Sequence, residues 1–169
     1  MTRYAVIDTT FAVVNQGDIT AQALLDSGVA ESAIYRATVP GFKDLGAACA
    51  IAFDAGCDIA IACGMVGADP VDKECAKDAS FGIQMAAVQA RRHILEVFVH
   101  MDEASDPQVL ASVVANRCYE HGVNAYWLMA APTELRRRAG TGQRQGFDDV
   151  GSLDGKRVAG PSGAPAPPE

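Results

Sequence analysis

Five cysteines form no CxxC pair, the cations are outnumbered, and no apolar run approaches the roughly 20 residues that cross a bilayer. Each absence excludes something. Cys49, Cys57, Cys63, Cys75 and Cys118 are an odd set without metal-ligand spacing. They argue against zinc and a disulfide framework, and for reduced thiols in a reducing, cytoplasmic compartment. Lysine and arginine number 14 against 21 acidic residues, a net charge of −7. Such a surface repels phosphate backbones and anionic lipid, so neither nucleic acid nor membrane is an expected partner. The chain opens Met1-Thr2-Arg3-Tyr4 and runs straight into a strand, so no signal peptide is expected. No GxxxxGK(S/T) phosphate loop occurs. Gly140-Thr141-Gly142 to Gly146 has GxGxxxG spacing and follows a helix near the end of the chain, which is the wrong place for a dinucleotide fingerprint.

What is present is alternation. The 169 residues, 49 % apolar, suffice for one domain with a substantial core. Tyr4-Ala5-Val6-Ile7 reads as a first strand, with Asp18 as cap of a helix whose apolar face is Ile19, Ala23 and Leu24. Ala33 to Val39 is a second strand, stopped by Pro40-Gly41. Asp44 suits the N-cap of a helix from Leu45 to Ala55. Ile59 to Cys63 is a third strand, apolar throughout as one buried on both faces should be. A helix over 72–90 carries Phe81, Met85 and Val88, and Ile94 to Val99 is the fourth strand. Asp106-Pro107 starts another helix to about His121. Ala125 to Ala130 fits strand or helix; helix is favoured because Pro132-Thr133 then begins a short one through Arg138.

Strand and helix alternating with crossover-length connections predict an α/β fold, a three-layer αβα arrangement on a four-stranded parallel sheet with flavodoxin-like topology. That is one strand fewer than usual, and so small a sheet often needs neighbouring subunits to complete its crevice. Residues 1–151 form the domain. From Ser152 the composition turns to Gly, Pro, Ala and Ser, so 152–169 is expected to be a disordered tail.

In such a sheet the loops after the strands converge on one ligand crevice. They carry Asp8-Thr9-Thr10-Phe11, Pro40-Gly41-Phe42-Lys43-Asp44, Cys63-Gly64-Met65 with Asp72-Lys73 beyond, and His100-Met101-Asp102-Glu103. Asp8 stands where phosphoaspartyl enzymes place a nucleophile, but a second carboxylate two residues on is missing. Phe11 either stacks on a flat heterocycle or caps a helix as a plain hydrophobe. Gly41 either admits a ligand to the backbone or simply turns the chain. His100 can move protons near neutral pH, with Glu103 orienting it or capping the next segment. Cys75 is a small, partly buried residue or a reactive thiol. His93 and His121, at element edges, read as structural. Arg136-Arg137-Arg138 reads as a solvated face or subunit contact.

Taken together these segments closely resemble the archaeal type of riboflavin synthase. The matching blocks are Val6 to Ala12, Thr38 to Leu45, Gly64-Met65 with Asp72 to Ala76, Glu96 to His100 with Asp102-Glu103-Ala104, and Ala139-Gly140 with Arg144-Gln145-Gly146-Phe147. They run in order over about residues 4–151. The resemblance implies a lumazine synthase-like catalytic domain and a ring of five identical subunits with active sites at their interfaces. It implies a transferase in which two molecules of 6,7-dimethyl-8-ribityllumazine exchange a four-carbon unit, giving riboflavin and 5-amino-6-ribitylaminouracil. No organic cofactor is implied. Magnesium is associated with the family, though the sequence offers no clear ligand set.

On that resemblance Phe11 would stack on one lumazine, with Asp8, Thr9 and Thr10 beside it. Pro40, Gly41, Phe42, Lys43, Asp44, Gly64 and Met65 would bind ring edges and a ribityl chain, with Asp72 nearby. Lys73 and Lys77 would approach developing negative charge, while His100, helped by Glu103, shuttles the proton. Arg144 and its block would close the crevice of an adjacent subunit. Two rivals remain. Lumazine synthase typically places a histidine after strand three, and Gly64 to Lys77 contains none. A flavin-phosphate carrier needs a phosphate cradle after strand one, where the Asp8 carboxylate would repel the ligand.

Overall fold

The computed structural model describes residues 1–155. Four strands, β1 (Tyr4–Thr9), β2 (Ile34–Val39), β3 (Ile59–Val66) and β4 (Ile94–His100), alternate with helices α1 (Gln16–Asp26), α2 (Leu45–Asp54), α3 (Pro70–Ala90), α4 (Pro107–Ala130) and α5 (Pro132–Arg138). The sheet is wholly parallel in the order β2-β1-β3-β4. Register sets Tyr4 opposite Ile34 and Ile59, and Val66 opposite His100, so all strand ends meet at one edge. The expected three-layer α/β architecture is present.

Side chains alternate across the sheet, and this divides the core into two layers. On the front, Ala5, Ile7, Ala60, Ala62 and Val66 meet α2 and α3 through Leu45, Cys49, Ala52, Phe53, Ala76, Ala79 and Ile83. On the back, Tyr4, Val6, Ile59, Ile61, Cys63, Met65, Val97 and Val99 meet α1 and α4 through Leu24, Val114, Cys118 and Ala125. Four of the five free cysteines are buried and Cys75 is half-buried. Burial pushes the Cys49 thiol up to about 12. No helix among the described residues is long and apolar enough to cross a membrane.

The local expectations are corrected at several points. Asn15, not Asp18, caps α1: its Oδ1 accepts the Asp18 N–H at 3.0 Å, while the Asp18 carboxylate turns to Asn15 Nδ2 and Arg36. Asp44 precedes α2 but its side chain makes no capping bond, because a tight turn over Phe42–Asp44 leads the chain in. Strand β3 continues to Val66, since Gly64, Met65 and Val66 pair with Phe98, Val99 and His100. Helix α4 runs unbroken to Ala130, placing His121 inside it rather than at an edge. On α3 the inward face is Ala76, Ala79 and Ile83, whereas Phe81, Met85 and Val88 are 66, 45 and 76 % exposed. Both sets have helical spacing, so periodicity alone could not choose between them. The expected tail falls mostly on residues 156–169, outside the described ones.

Candidate functional site

Alternation at the carboxyl edge decides what the crevice contains. Thr9 continues the front face after Ile7, opposite β2's Val39. It is 6 % exposed, and its hydroxyl has no hydrogen-bond partner among the described residues. Beside it three rings gather. Phe11 meets Phe42 edge-on with centroids 6.5 Å apart, and Phe42 meets Phe98 at 6.0 Å, tilted by 55°. Gly64 makes this possible, since a Cβ there would sit 3.2 Å from Phe98 Cε1 and 3.5 Å from Phe42 Cβ. A partly open aromatic cluster where the strand ends converge suits a flat ligand.

The flanking loops are tied to this cluster. Thr10 donates from its amide to the Val39 carbonyl at 2.9 Å and from Oγ1 to the Pro40 carbonyl at 3.1 Å. Gly41 is in ordinary extended conformation with open space at its Cα, so a ligand can come close to its backbone. Lys43 and Asp44 are exposed, with Lys43 Nζ 3.9 Å from Asp78. At the start of α3, the Asp72 carboxylate lies over Gly67, where a Cβ would come within 1.9 Å of Oδ2. Lys73 Nζ pairs with Asp102 Oδ2 at 2.5 Å, and this bond lowers the Asp102 pKa. Lys77 is exposed one turn further on.

His100 closes β4 and is half-buried on the face that Phe98 shares by alternation. Its amide donates to Glu103 Oε1 at 2.8 Å, and the Glu103 amide donates back to the His100 carbonyl at 3.1 Å. The expected partnership between Glu103 and the imidazole is therefore corrected. The carboxylate is taken by the backbone and by Arg117, whose Nη1 and Nη2 lie 2.7 and 2.6 Å from its two oxygens. Burial works to raise the Glu103 pKa, but the bonds from Arg117 and the His100 amide prevail and hold it below the usual range.

Two expected site residues point away. Asp8 is a back-face residue whose Oδ1 accepts from Thr38 Oγ1 at 2.6 Å, with Arg36 Nη2 at 3.4 Å from Oδ2. Gly17 lies against it so closely that a Cβ would be 2.1 Å from Oδ2. Met65 is fully buried in the back core, because β3 extends through it. Arg144 sits over its neighbour Phe147, 4.6 Å from the ring, on a segment fastened to its own subunit's α4 by the Gly146 amide bonded to Asn116 Oδ1 at 2.6 Å. Arg138 likewise stacks on Trp127 at 4.4 Å, folding the basic turn onto its own chain.

The sequence reading missed Phe98 and Arg117. Alternation from Ile94 would have placed Phe98 on the front, and Arg117 is the only lysine or arginine in the 24 residues of α4. Among the described residues no three His, Cys, Asp or Glu side chains converge as a cation cage requires. Asp102 and Glu103 are paired with Lys73 and Arg117, so among the described residues these two carboxylates do not fit a magnesium site. A cavity of about 310 Å³ opens on the back, lined by Asp18, Gln22, Leu25, Ile34 and Arg36. It carries charges of both signs and no aromatic ring, and so lacks a stacking platform.

Residues 1–131 match the family described as 6,7-dimethyl-8-ribityllumazine synthase. The chain is 41 % identical over 154 residues to the riboflavin synthase of Methanothermobacter thermautotrophicus, covering 90 % of this chain and 100 % of the relative. It is 38 % identical over 152 residues to the riboflavin synthase of Archaeoglobus fulgidus, covering 89 and 98 %. The riboflavin synthase of Aeropyrum pernix is also 38 % identical, over 149 residues covering 88 and 96 %.

Proposed function

Because this chain belongs to the 6,7-dimethyl-8-ribityllumazine synthase family, we propose that it is a riboflavin synthase. It converts two molecules of 6,7-dimethyl-8-ribityllumazine into riboflavin and 5-amino-6-ribitylaminouracil. The observation that carries this reading is likeness to riboflavin synthases over 96–100 % of their own length. The aromatic crevice supports it from the chemistry.

Every atom of the two substrates reappears in the two products, so the four-carbon transfer needs no external oxidant and no organic cofactor. What it needs is two flat molecules held face to face and a proton removed from a C7 methyl group. Orientation alone can supply about 7–11 kcal/mol of barrier reduction in the best cases. Phe11, 46 % exposed and backed by Phe42 and Phe98, forms the stacking platform. Backbone groups from Pro40 to Asp44 bind ribityl hydroxyls. His100 exchanges the methyl proton, and the Lys73–Asp102 pair with Lys77 answers negative charge developing on the pteridine.

The subunit assembles as a homopentamer, in which a second copy covers Ile51, Phe81, Met85 and Val88 and completes each crevice. Their exposure at 61, 66, 45 and 76 % supports this. The unpaired thiols support a cytoplasmic setting.

The family's title reaction, lumazine formation, is the competing reading. Purified protein given dimethylribityllumazine alone decides between them. Green riboflavin fluorescence is the expected result, and a preparation that leaves this compound unchanged sinks the proposal.

A further inference from the structure

The sheet order makes β4 an edge strand, and an edge leaves backbone groups unpaired. Here one guanidinium deals with them. Arg117 Nη1 donates to the Phe98 carbonyl at 2.9 Å and to Glu103 Oε1, while Nη2 donates to Glu103 Oε2. Glu103 Oε1 in turn accepts the His100 amide. The chain from 98 to 103 is therefore trussed along its free edge, and its other edge is held by the Met101 amide bonded to the Val66 carbonyl at 2.8 Å. The ion pair is nearly dry, with side-chain exposures of 11 and 17 %.

The Gly146-Phe147 turn supplies the cover. The Phe147 ring lies 5.2 Å from the Arg117 guanidinium carbon, and a Cβ on Gly146 would be 2.7 Å from Arg117 Nε. Gly146 also has φ +82°, which favours glycine. A segment whose place in the reaction was otherwise unaccounted for thus shields an ion pair on its own subunit. Excluding water strengthens such a pair and stiffens what it holds.

We propose that Arg117 is a positioning residue: through Glu103, and under the cover of Gly146-Phe147, it fixes where the end of β4 presents His100 to the substrate. Arg117 itself has no contact with substrate. This rests on the riboflavin synthase reading and on His100 as the proton carrier.

The test compares Arg117→Ala, Arg117→Lys, Phe147→Ala and His100→Ala with the wild type. The measurements are kcat and KM for riboflavin formation, riboflavin affinity by fluorescence quenching, and folding by thermal melts. A misplacement of about 1 Å can cost on the order of a hundredfold in rate, so Arg117→Ala is expected to lose about that factor in kcat while KM and riboflavin affinity hold. Arg117→Lys falls between, because one ammonium cannot serve Phe98 and both Glu103 oxygens together. Phe147→Ala moves the same way by less. Should Arg117→Ala fail to fold, the lysine and Phe147 variants carry the same split. Wild-type kcat in the Arg117 variants overturns the inference, as does a parallel loss of kcat and riboflavin affinity. So does an active His100→Ala beside an inactive Arg117→Ala. An inactive wild type instead defeats the functional reading itself.

Discussion

Behind the sheet, α1 and α4 meet so closely that a Cβ on Gly122 would fall 2.6 Å from Ala23 Cβ and 2.8 Å from the Thr20 carbonyl. In front, α2 and α3 also approach closely, a Cβ on Gly46 falling 3.0 Å from the Gly82 carbonyl carbon, yet their outer surfaces leave Ile51, Phe81, Met85 and Val88 in water. The back also ties down its carboxylate at the strand ends, since Asp8 is held by Thr38 and Arg36. The front leaves Phe11 46 % exposed, and the Thr9 hydroxyl has no partner among the described residues. At the strand ends the back is tied down within a single subunit. The front leaves apolar area open both at the crevice and on the outer side of α2 and α3.

The sharpest way to break this contrast is Phe81→Asp. If a second copy covers the front, the variant places an unpaired charge in an interface, at a cost of several kcal/mol. Sedimentation should then show single subunits, and riboflavin formation should fall with the assembly. An intact, active oligomer would make the two faces equivalent. His100→Ala comes next, with an expected loss of about 10²–10⁴ in turnover, the usual contribution of a general acid or base. Full turnover would remove His100 from the chemistry.

On the back, His121 offers a pH test. Burial, and then Arg117, hold its pKa down from 6.5 to about 4, so the ring stays neutral in the folded protein. The unfolded chain takes up that proton first. Stability is thus full above pH 6.5 and is lost as pH falls from 6.5 toward 4, by a total on the order of 3 kcal/mol. Urea titrations across that range should show the slope, and His121→Gln should flatten it. Glu103, with its lowered pKa, adds its own loss only below its ordinary value of 4.5. An unchanged slope in His121→Gln would mean the ring is not the source.

Smaller effects sharpen the comparison further. Gly122→Ala should cost about 1–3 kcal/mol by overpacking, seen in thermal unfolding with kcat retained. Phe11→Ala should leave stability alone and weaken substrate binding by about 0.5–1.5 kcal/mol of ring contact, read as a higher KM. Equal stability losses in both variants would contradict the division between a finished and an open face.

Much of the front was legible. Phe11, Phe42 and Gly64 sit where strand endings converge, and any parallel sheet sends those endings to one edge. Asp8 and Met65 were read as crevice residues because each follows an apolar run. A strand that goes on for two or three more residues turns such a position to the other face, and β3 continues only because β4 is there to pair with it. Glu103 was read as a partner of His100 because it lies three residues away. The partner it takes is Arg117, on a helix that packs there only in the folded chain.

The alternation of strand and helix, the parallel sheet and most boundaries to within a few residues were settled by the sequence alone, the end of α4 excepted, because backbone period and turn chemistry are local properties. Which stripe of α3 faces inward, which side of the sheet Asp8 and Met65 occupy and what holds Glu103 were decided by tertiary structure. These depend on groups distant along the chain, whose competition for one carboxylate or one apolar face is resolved only when the layers close.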